Sequence, residues 1–300
     1  MSSPPPSPPR PPSRVPIGIA GTGRAGSLLS RALLAHGVPI RVWDRKTDQV
    51  PRDLIPHRDT SLGELIRLSR TVILAVADRA IVDVAAAART LAEDDTPRAW
   101  VHLSGALGAG ILAPVVPSGD IVAAMHPLQT IAPGADPRIL HGALAAIDAP
   151  EDGGLTLATT LARLLGMHPV PVPPAIRPGY HAAGALASGG LTAVLVTARE
   201  VLEESGLSSR EIREGLRAIA STALEAALTD NPDEGWTGPV VRGDASTLRA
   251  QLAALDPFPP EVADLFRALM RTILVRLDHH SPLPVDRRDE IRALLTEPTR

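Results

Sequence analysis

The stretch that decides the fold is IGIAGTGRAGSLLSRALLAHG, residues 17–37. A short apolar run ends in Gly21-Thr22-Gly23-Arg24-Ala25-Gly26, and apolar residues then recur at helical spacing (Leu28, Leu29, Ala32, Leu33) up to Gly37, a natural helix stop. Each glycine has a physical task. Gly21 permits a tight turn, Gly23 lets main chain approach a pyrophosphate with no Cβ in the way, and Gly26 allows the helix to pack closely on the strand. The helix start offers unpaired N–H groups and a positive dipole end to phosphate. A G-x-G-x-x-G turn alone is weak, because glycine-rich turns are common. Here a strand precedes it, a helix follows, and Asp44 closes a second strand (40–43) 23 residues after Gly21. The pattern implies a dinucleotide site made by Gly21, Thr22, Gly23, Arg24, Ala25 and Gly26.

Asp44 stands where a carboxylate holds the ribose hydroxyls of NAD and repels a 2′-phosphate. Arg45, Lys46 and Arg24 beside it are placed to grip that phosphate instead, which favours NADP over NAD. Pairing of Asp44 with Arg45 is the purely structural alternative.

Outward from this unit, strands and helices alternate. Ser61 and Glu64 form a capping box opening a short helix. Residues 71–77 (TVILAVA) are a strand buried on both faces, and an alanine-rich helix follows at 79–92. Further strands are expected at 99–103, 121–125, 143–148 and 169–172, with a helix at 153–165. Continuous apolar strands between helices imply a mostly parallel sheet covered on both sides. The proline-rich run 170–180 (VPVPPAIRPGY) marks a junction, giving one domain at 15–175 and another at 176–300. Beyond it the periodicity is helical, at 180–204, 208–229 (capped by Ser208 and Glu211), 244–255, 259–277 and 284–295. The fold class expected is an α/β doubly wound domain followed by an all-α domain.

Composition narrows the function. The 300 residues carry a net charge of −3, no cysteine, and Lys46 as their only lysine. Disulfides, thiolate metal sites and cysteine nucleophiles are excluded. The charge offers no basis for binding nucleic acid or an acidic membrane, and six aromatic residues are too few for base-stacking platforms. Residues 1–14, with seven prolines in twelve positions, read as a solvated polyproline-like tail without the apolar core of a secretory signal. The uncharged stretch 179–198 holds His181, Ser188 and four glycines, and is read as a buried central helix rather than a membrane span. A cytoplasmic protein is expected, and a homodimer joined through the C-terminal helices. No metal site is assigned: His102 and the pair His279-His280 lack further ligands at metal spacing.

Several stretches carry a resemblance: Gly21 to Gly26, Leu74-Ala-Val-Ala-Asp78, Val101-His-Leu-Ser-Gly-Ala106, Met125-His-Pro-Leu-Gln-Thr130, Tyr180-His-Ala-Ala183, Ala187-Ser188 and Thr237-Gly-Pro-Val-Val-Arg-Gly-Asp244. Together they resemble an uncharacterised oxidoreductase family with a Rossmann domain and a helical C-terminal domain of unknown function. It falls within a superfamily that includes 6-phosphogluconate and β-hydroxyacid dehydrogenases, pyrroline-5-carboxylate reductase and ketopantoate reductase. The resemblance implies a substrate held between the two domains. It also implies an asparagine after Ala187-Ser188, and this chain departs from that with Gly189 and Gly190.

The expected activity is NAD(P)H-dependent reduction of a C=O or C=N bond of a small acid. The protein must then orient the substrate and supply a proton. His181, opening the long helix after the junction, is the candidate donor, because imidazole exchanges protons near neutral pH. Ser188, two helical turns on, is placed to hydrogen-bond the substrate. His126, Ser104, Ala77 and Asp78 follow strands, and the carboxyl ends of parallel strands border a ligand crevice. His126 is assigned to the substrate, and Ala77, Asp78 and Ser104 to the cofactor wall. Arg242 is a candidate anchor for a substrate carboxylate, and Asp244 a candidate N-cap. A dinucleotide-binding regulatory or scaffold protein without catalysis is the rival from another class.

Overall fold

The computed structural model describes residues 15–92, 94–280 and 283–296, with side chains left out at 279 and 280. The proline-rich tail and the histidine pair's side chains lie outside the described residues. By contacts the chain divides into two compact units, one ending at Ser188 and the other beginning at Gly189.

The first unit is built on a seven-stranded sheet. Its strands are β1 (Ile17–Ala20), β2 (Ile40–Trp43), β3 (Thr71–Leu74), β4 (Ala99–His102), β5 (Ile121–Pro127), β6 (Leu144–Asp148) and β7 (His168–Pro171). The order across the sheet is β2-β1-β3-β4-β5-β6-β7, and every pairing is parallel except β5 with β6. Helices α1 (Arg24–Ala35), α2 (Leu62–Leu68), α3 (Ile81–Thr90) and α4 (Asp152–Leu164) cover it. The two-sided burial expected of residues 71–77 follows from strand alternation. Ile73, Val101 and Ala123 bury with α1 and α4 on one face. Val72, Leu74 and Trp100 bury with α2 and α3 on the other.

Because β1 pairs with β2 on one side and β3 on the other, the chain reverses its winding direction at β1. The glycine turn leaves β1 at that topological switch point, where open α/β sheets leave a crevice. In strand order, the carboxyl edge presents Asp44, Gly21, Asp78, Ser104 and His126. The last of these lies three strand spacings, roughly 14 Å, from the glycine turn.

Helix α5 (Arg177–Ala185) belongs to the first unit, so the division falls after it rather than at the proline-rich run. The single helix read at 180–204 is broken into α5, a five-residue π turn (Leu186–Gly190) and α6 (Leu191–Glu204). The π turn falls on Ser188-Gly189-Gly190, where paired glycines tolerate a break in the i→i−4 ladder. One expectation is overturned here. The apolar stretch 179–198 is not a buried central helix, for none of its residues is buried. Residues Pro174–Glu204 are long and apolar enough to cross a membrane by length and composition alone.

The second unit adds α7 (Ser209–Ala227), α8 (Pro239–Arg242), α9 (Ala245–Ala254), α10 (Pro260–His280) and α11 (Val285–Thr296). Its core, centred on Val240, Leu248, Leu274, Leu277, Ile291 and Leu295, lies among α8 to α11. Helices α6 and α7 pack on each other, but Ile212 is the only buried residue between them among the described residues. Asp244 caps α9 as expected, accepting from the Thr247 amide at 3.0 Å. The Ser208–Glu211 capping box on α7 is formed in both directions.

Candidate active site

The glycine turn has the shape a pyrophosphate needs. Gly21 has φ +101°, and a Cβ there would lie 2.5 Å from the Ala75 carbonyl oxygen. A Cβ on Gly26 would lie 2.0 Å from the Gly21 oxygen, so helix and turn approach as closely as main chain allows. At Gly23 nothing lies within 4 Å of a Cβ, which leaves the phosphate side open. Gly23 is also the N-cap of α1 and no side chain caps that end, so the first-turn N–H groups face outward unpaired by a cap. These residues fit a dinucleotide pyrophosphate.

Asp44 does something sequence reasoning missed. Its Oδ2 accepts from the Thr22 amide at 2.7 Å and the Thr22 hydroxyl at 2.9 Å, while Oδ1 accepts from the Lys46 amide at 3.0 Å. The carboxylate thus ties β2 to the glycine turn. Arg24, Arg45 and Lys46 are exposed around it, and none of the three forms an ion pair among the described residues.

Along the edge, the β4 turn is held from every side. The Ser104 hydroxyl donates to Asp78 Oδ2 at 2.8 Å and accepts from the amides of Ala106 and Leu107. Two of the three residues expected on the cofactor wall, Asp78 and Ser104, therefore meet, with the Ser104 hydroxyl used in shaping the turn. The strand expected to run to Ala77 ends at Leu74, and Ala77, the third, is exposed in the loop after it. His102 accepts from the Ser104 amide through Nδ1 and meets the Gly108 carbonyl through Nε2, which makes it a neutral strut. Burial pushes its pKa down. Arg177 is fully buried and donates to the carbonyls of Val172, Ser104 and Ala146. It fastens the first residue of α5 to this turn and to β6.

That fastening brings α5 side chains over the sheet edge. Tyr180 and His126 share a hydrogen bond between the hydroxyl and Nδ1 at 3.1 Å. The rings of His126 and His181 meet edge to face, 5.6 Å between centroids. Gly105 makes room for both: a Cβ there would lie 2.5 Å from His181 Nδ1 and 2.9 Å from His126 Nε2. Burial, with the positive charge of Arg177 and the neighbouring His181, lowers the His126 pKa to about 4, so at neutral pH that ring carries no charge. Burial also raises the Tyr180 hydroxyl above its ordinary value.

A cavity of about 550 Å³ opens here, lined by His126, Tyr180, His181 and Ser188 together with Gln129 and Thr130. Three residues picked from the sequence, His126, His181 and Ser188, line one cavity, although Ser188 lies within the π turn. Tyr180, Gly105 and Arg177 were not singled out, although Tyr180 is the chain's only tyrosine and precedes His181 directly. Arg242 is exposed at the end of α8, in the other compact unit, near Asp244, whose carboxyl is held at a pKa of about 2 chiefly by hydrogen bonds from Thr247 and Ser246. Among the described residues no three metal-ligating side chains cluster.

The chain matches a Rossmann-like domain over residues 1–127 and a domain of unknown function, DUF2520, over residues 143–273. No curated protein matches it. Among solved structures, a Bacteroides fragilis protein assigned as an NADP oxidoreductase shares 21% identity over 86% of this chain and 97% of its own, with a TM-score of 0.74. The NADP-bound pyrroline carboxylate reductase of Plasmodium falciparum shares 13% identity over 94% of this chain and 99% of its own, at TM-score 0.61. A reductive aminase from Aspergillus terreus, solved with NADPH and ethyl-5-oxohexanoate, shares 16% over the same proportions, at TM-score 0.63. The parallel sheet, its glycine turn and the helices that follow it make this chain a Rossmann-like protein with a C-terminal DUF2520 domain.

Proposed function

We propose that the protein is a reductase that uses NADPH to reduce a C=O or C=N bond of a small substrate. The observation that carries this reading is the shared carboxyl edge. A cradle fitted to a pyrophosphate and a cavity lined by ionisable and hydroxyl side chains lie on one side of one sheet. The bound nicotinamide supplies the hydride. Gly21 to Gly26 hold the phosphates through main-chain amides, and Arg24, Arg45 and Lys46 meet the 2′-phosphate. Asp44, already bonded to Thr22, stays turned toward its own chain. His181 gives the proton to the developing alkoxide or amine. Neutral His126 orients the Tyr180 hydroxyl, which hydrogen-bonds the same substrate atom, and Ser188 binds beside them. General acid assistance of this kind contributes about 10²-fold or more.

The testing experiment compares wild type with His181→Ala, measuring NADPH affinity by calorimetry and turnover on a panel of ketones and cyclic imines. We expect turnover to fall about 100-fold or more while affinity stays within a few-fold. Equal loss of both would remove His181 from the chemistry. Tight NADPH binding with no turnover on any substrate would favour the non-catalytic rival, and the same titration with NADH reports the cofactor preference.

The protein is also proposed to be a homodimer through its C-terminal helices. Large apolar side chains stand exposed on α6 and α7, Val196 at 49%, Ile219 at 68% and Leu224 at 50%. An apolar groove of about 410 Å³ runs between α6, α9 and α10. Surfaces of this kind mark association sites.

A further inference from the structure

Thr22 sits at the bend between β1 and α1 with all three of its polar groups committed. Its amide donates to Asp44 Oδ2 at 2.7 Å, and its hydroxyl donates to the same oxygen at 2.9 Å. Its carbonyl accepts from the Ser27 hydroxyl at 2.6 Å. The residue is buried, and both of its donors are spent within the chain. The consequence falls on Asp44. A carboxylate oxygen has two lone pairs, and Thr22 takes both of those on Oδ2. Oδ1 accepts from the Lys46 amide at 3.0 Å, which leaves it one. A ribose with free 2′- and 3′-hydroxyls presents two donors, and a carboxylate that holds NAD meets them with both oxygens. Here that grip requires breaking bonds to Thr22 and leaving a buried hydroxyl unpaired, a costly exchange. A 2′-phosphate asks for donors instead, and Arg24, Arg45 and Lys46 stand exposed beside the turn.

We propose that Thr22 determines the cofactor chosen: by holding the Asp44 carboxylate against the turn, it withholds that carboxylate from the ribose and favours NADPH over NADH. Thr22 is a positioning residue, acting on the nucleotide through Asp44. The inference rests on the NADPH reductase reading and goes beyond it by naming the bond that decides between the two cofactors.

The experiment measures Kd for NADPH and for NADH by calorimetry on the full chain, with thermal unfolding to check each variant's fold. The proteins are wild type, Thr22→Val, Thr22→Ser, Asp44→Asn and the Thr22→Val, Asp44→Asn double variant. We expect wild type to bind NADPH more tightly than NADH. Valine keeps the shape of threonine but removes the hydroxyl, which frees a lone pair on Oδ2. NADH should then bind more tightly and NADPH more weakly. The preference for NADPH should fall about tenfold, the worth of one hydrogen bond to a charged group. Thr22→Ser should keep the wild-type preference. Added to Asp44→Asn, the same valine should not move the preference further, because the carboxylate through which Thr22 acts is gone. Thr22→Ala removes the same hydroxyl with a smaller side chain, and decides the matter if the valine variant does not fold. Loss of affinity for both cofactors by one factor would overturn the inference while leaving the NADPH reading intact. So would a fall in preference that persists without the Asp44 carboxylate. Tighter binding of NADH by wild type would overturn the inference and the cofactor preference together. Binding of neither would sink the reductase reading as well. The expected preferences without turnover on any ketone or imine would uphold the inference and remove the reductase reading.

Discussion

At Gly23 and Gly26 two residues of one type serve separable ends, and substitution distinguishes them. A methyl group on Gly26 has no room, since it would meet the Gly21 oxygen at 2.0 Å. Gly26→Ala should cost about 1–3 kcal/mol of stability, because main chain cannot swing aside as a long side chain does. Gly23→Ala meets nothing within 4 Å and should change stability by under about 1 kcal/mol. It should nonetheless weaken NADPH binding tenfold or more, by filling the space a phosphate needs. Thermal unfolding and calorimetry on the two variants check both halves. These glycines were legible in the sequence because spacing and flanking elements define their geometry locally. Asp44 was legible as a position but not as a partner. Whether its carboxylate faces a ribose, Arg45 or Thr22 depends on a side-chain torsion that no local pattern encodes.

Among the elements, α5 shows where local reading stops. Its helical character, its opening proline and the presence of His181 are all visible in the sequence. That it docks on the sheet through Arg177 is not, since a single arginine next to prolines reads as surface. In the fold this side chain is fully buried, and its donors satisfy carbonyls from the α5 approach, the β4 turn and β6. Arg177→Met removes those bonds and leaves acceptors unpaired. We expect a loss of about 3 kcal/mol, read as a fall in Tm of roughly 10 °C. Arg177→Lys should recover only part of it, because an ammonium lacks the planar fork that reaches three acceptors. The Ser208 cap on α7 is the opposite case. The serine–glutamate spacing announces it, and the fold forms it as read.

For the whole molecule, the buried His102, the half-buried His126 and paired carboxylates set separate windows of acid sensitivity. His126 has its pKa lowered to about 4 in the folded chain, against 6.5 when unperturbed, and His102 is also lowered by burial. Between those values the unfolded chain binds more protons than the folded one, so stability falls as pH drops from about 6.5 toward 4. The Asp94, Asp136 and Asp244 carboxyls, held at about 2 by their partners, contribute stability above the ordinary carboxylate range that disappears only below it. Urea midpoints at pH 7.5 and 5.0 should therefore differ, and His126→Gln should narrow the gap; an unchanged gap would exclude His126 as its source. Association is the second property at this scale. Light scattering should give twice the chain mass. Ile219→Glu, placing a charge on the exposed apolar face of α7, should give monomers with unchanged helix content. A monomeric wild type would leave those apolar faces without the proposed role.

The sequence by itself determined the doubly wound sheet, the glycine turn, the helical second half and which residues lie at the carboxyl ends of the strands. All of these rest on periodicities of two or 3.6 residues and on turn residues whose conformational limits act within a few positions. Only the tertiary structure decided which side chains meet over the β4 turn. It alone showed that Asp44 braces Thr22, and that the apolar stretch after the junction stays uncovered in a single chain. Those outcomes depend on contacts between residues tens of positions apart, such as His126 with Tyr180, and hence on how helix docks against sheet, which one-dimensional spacing does not specify.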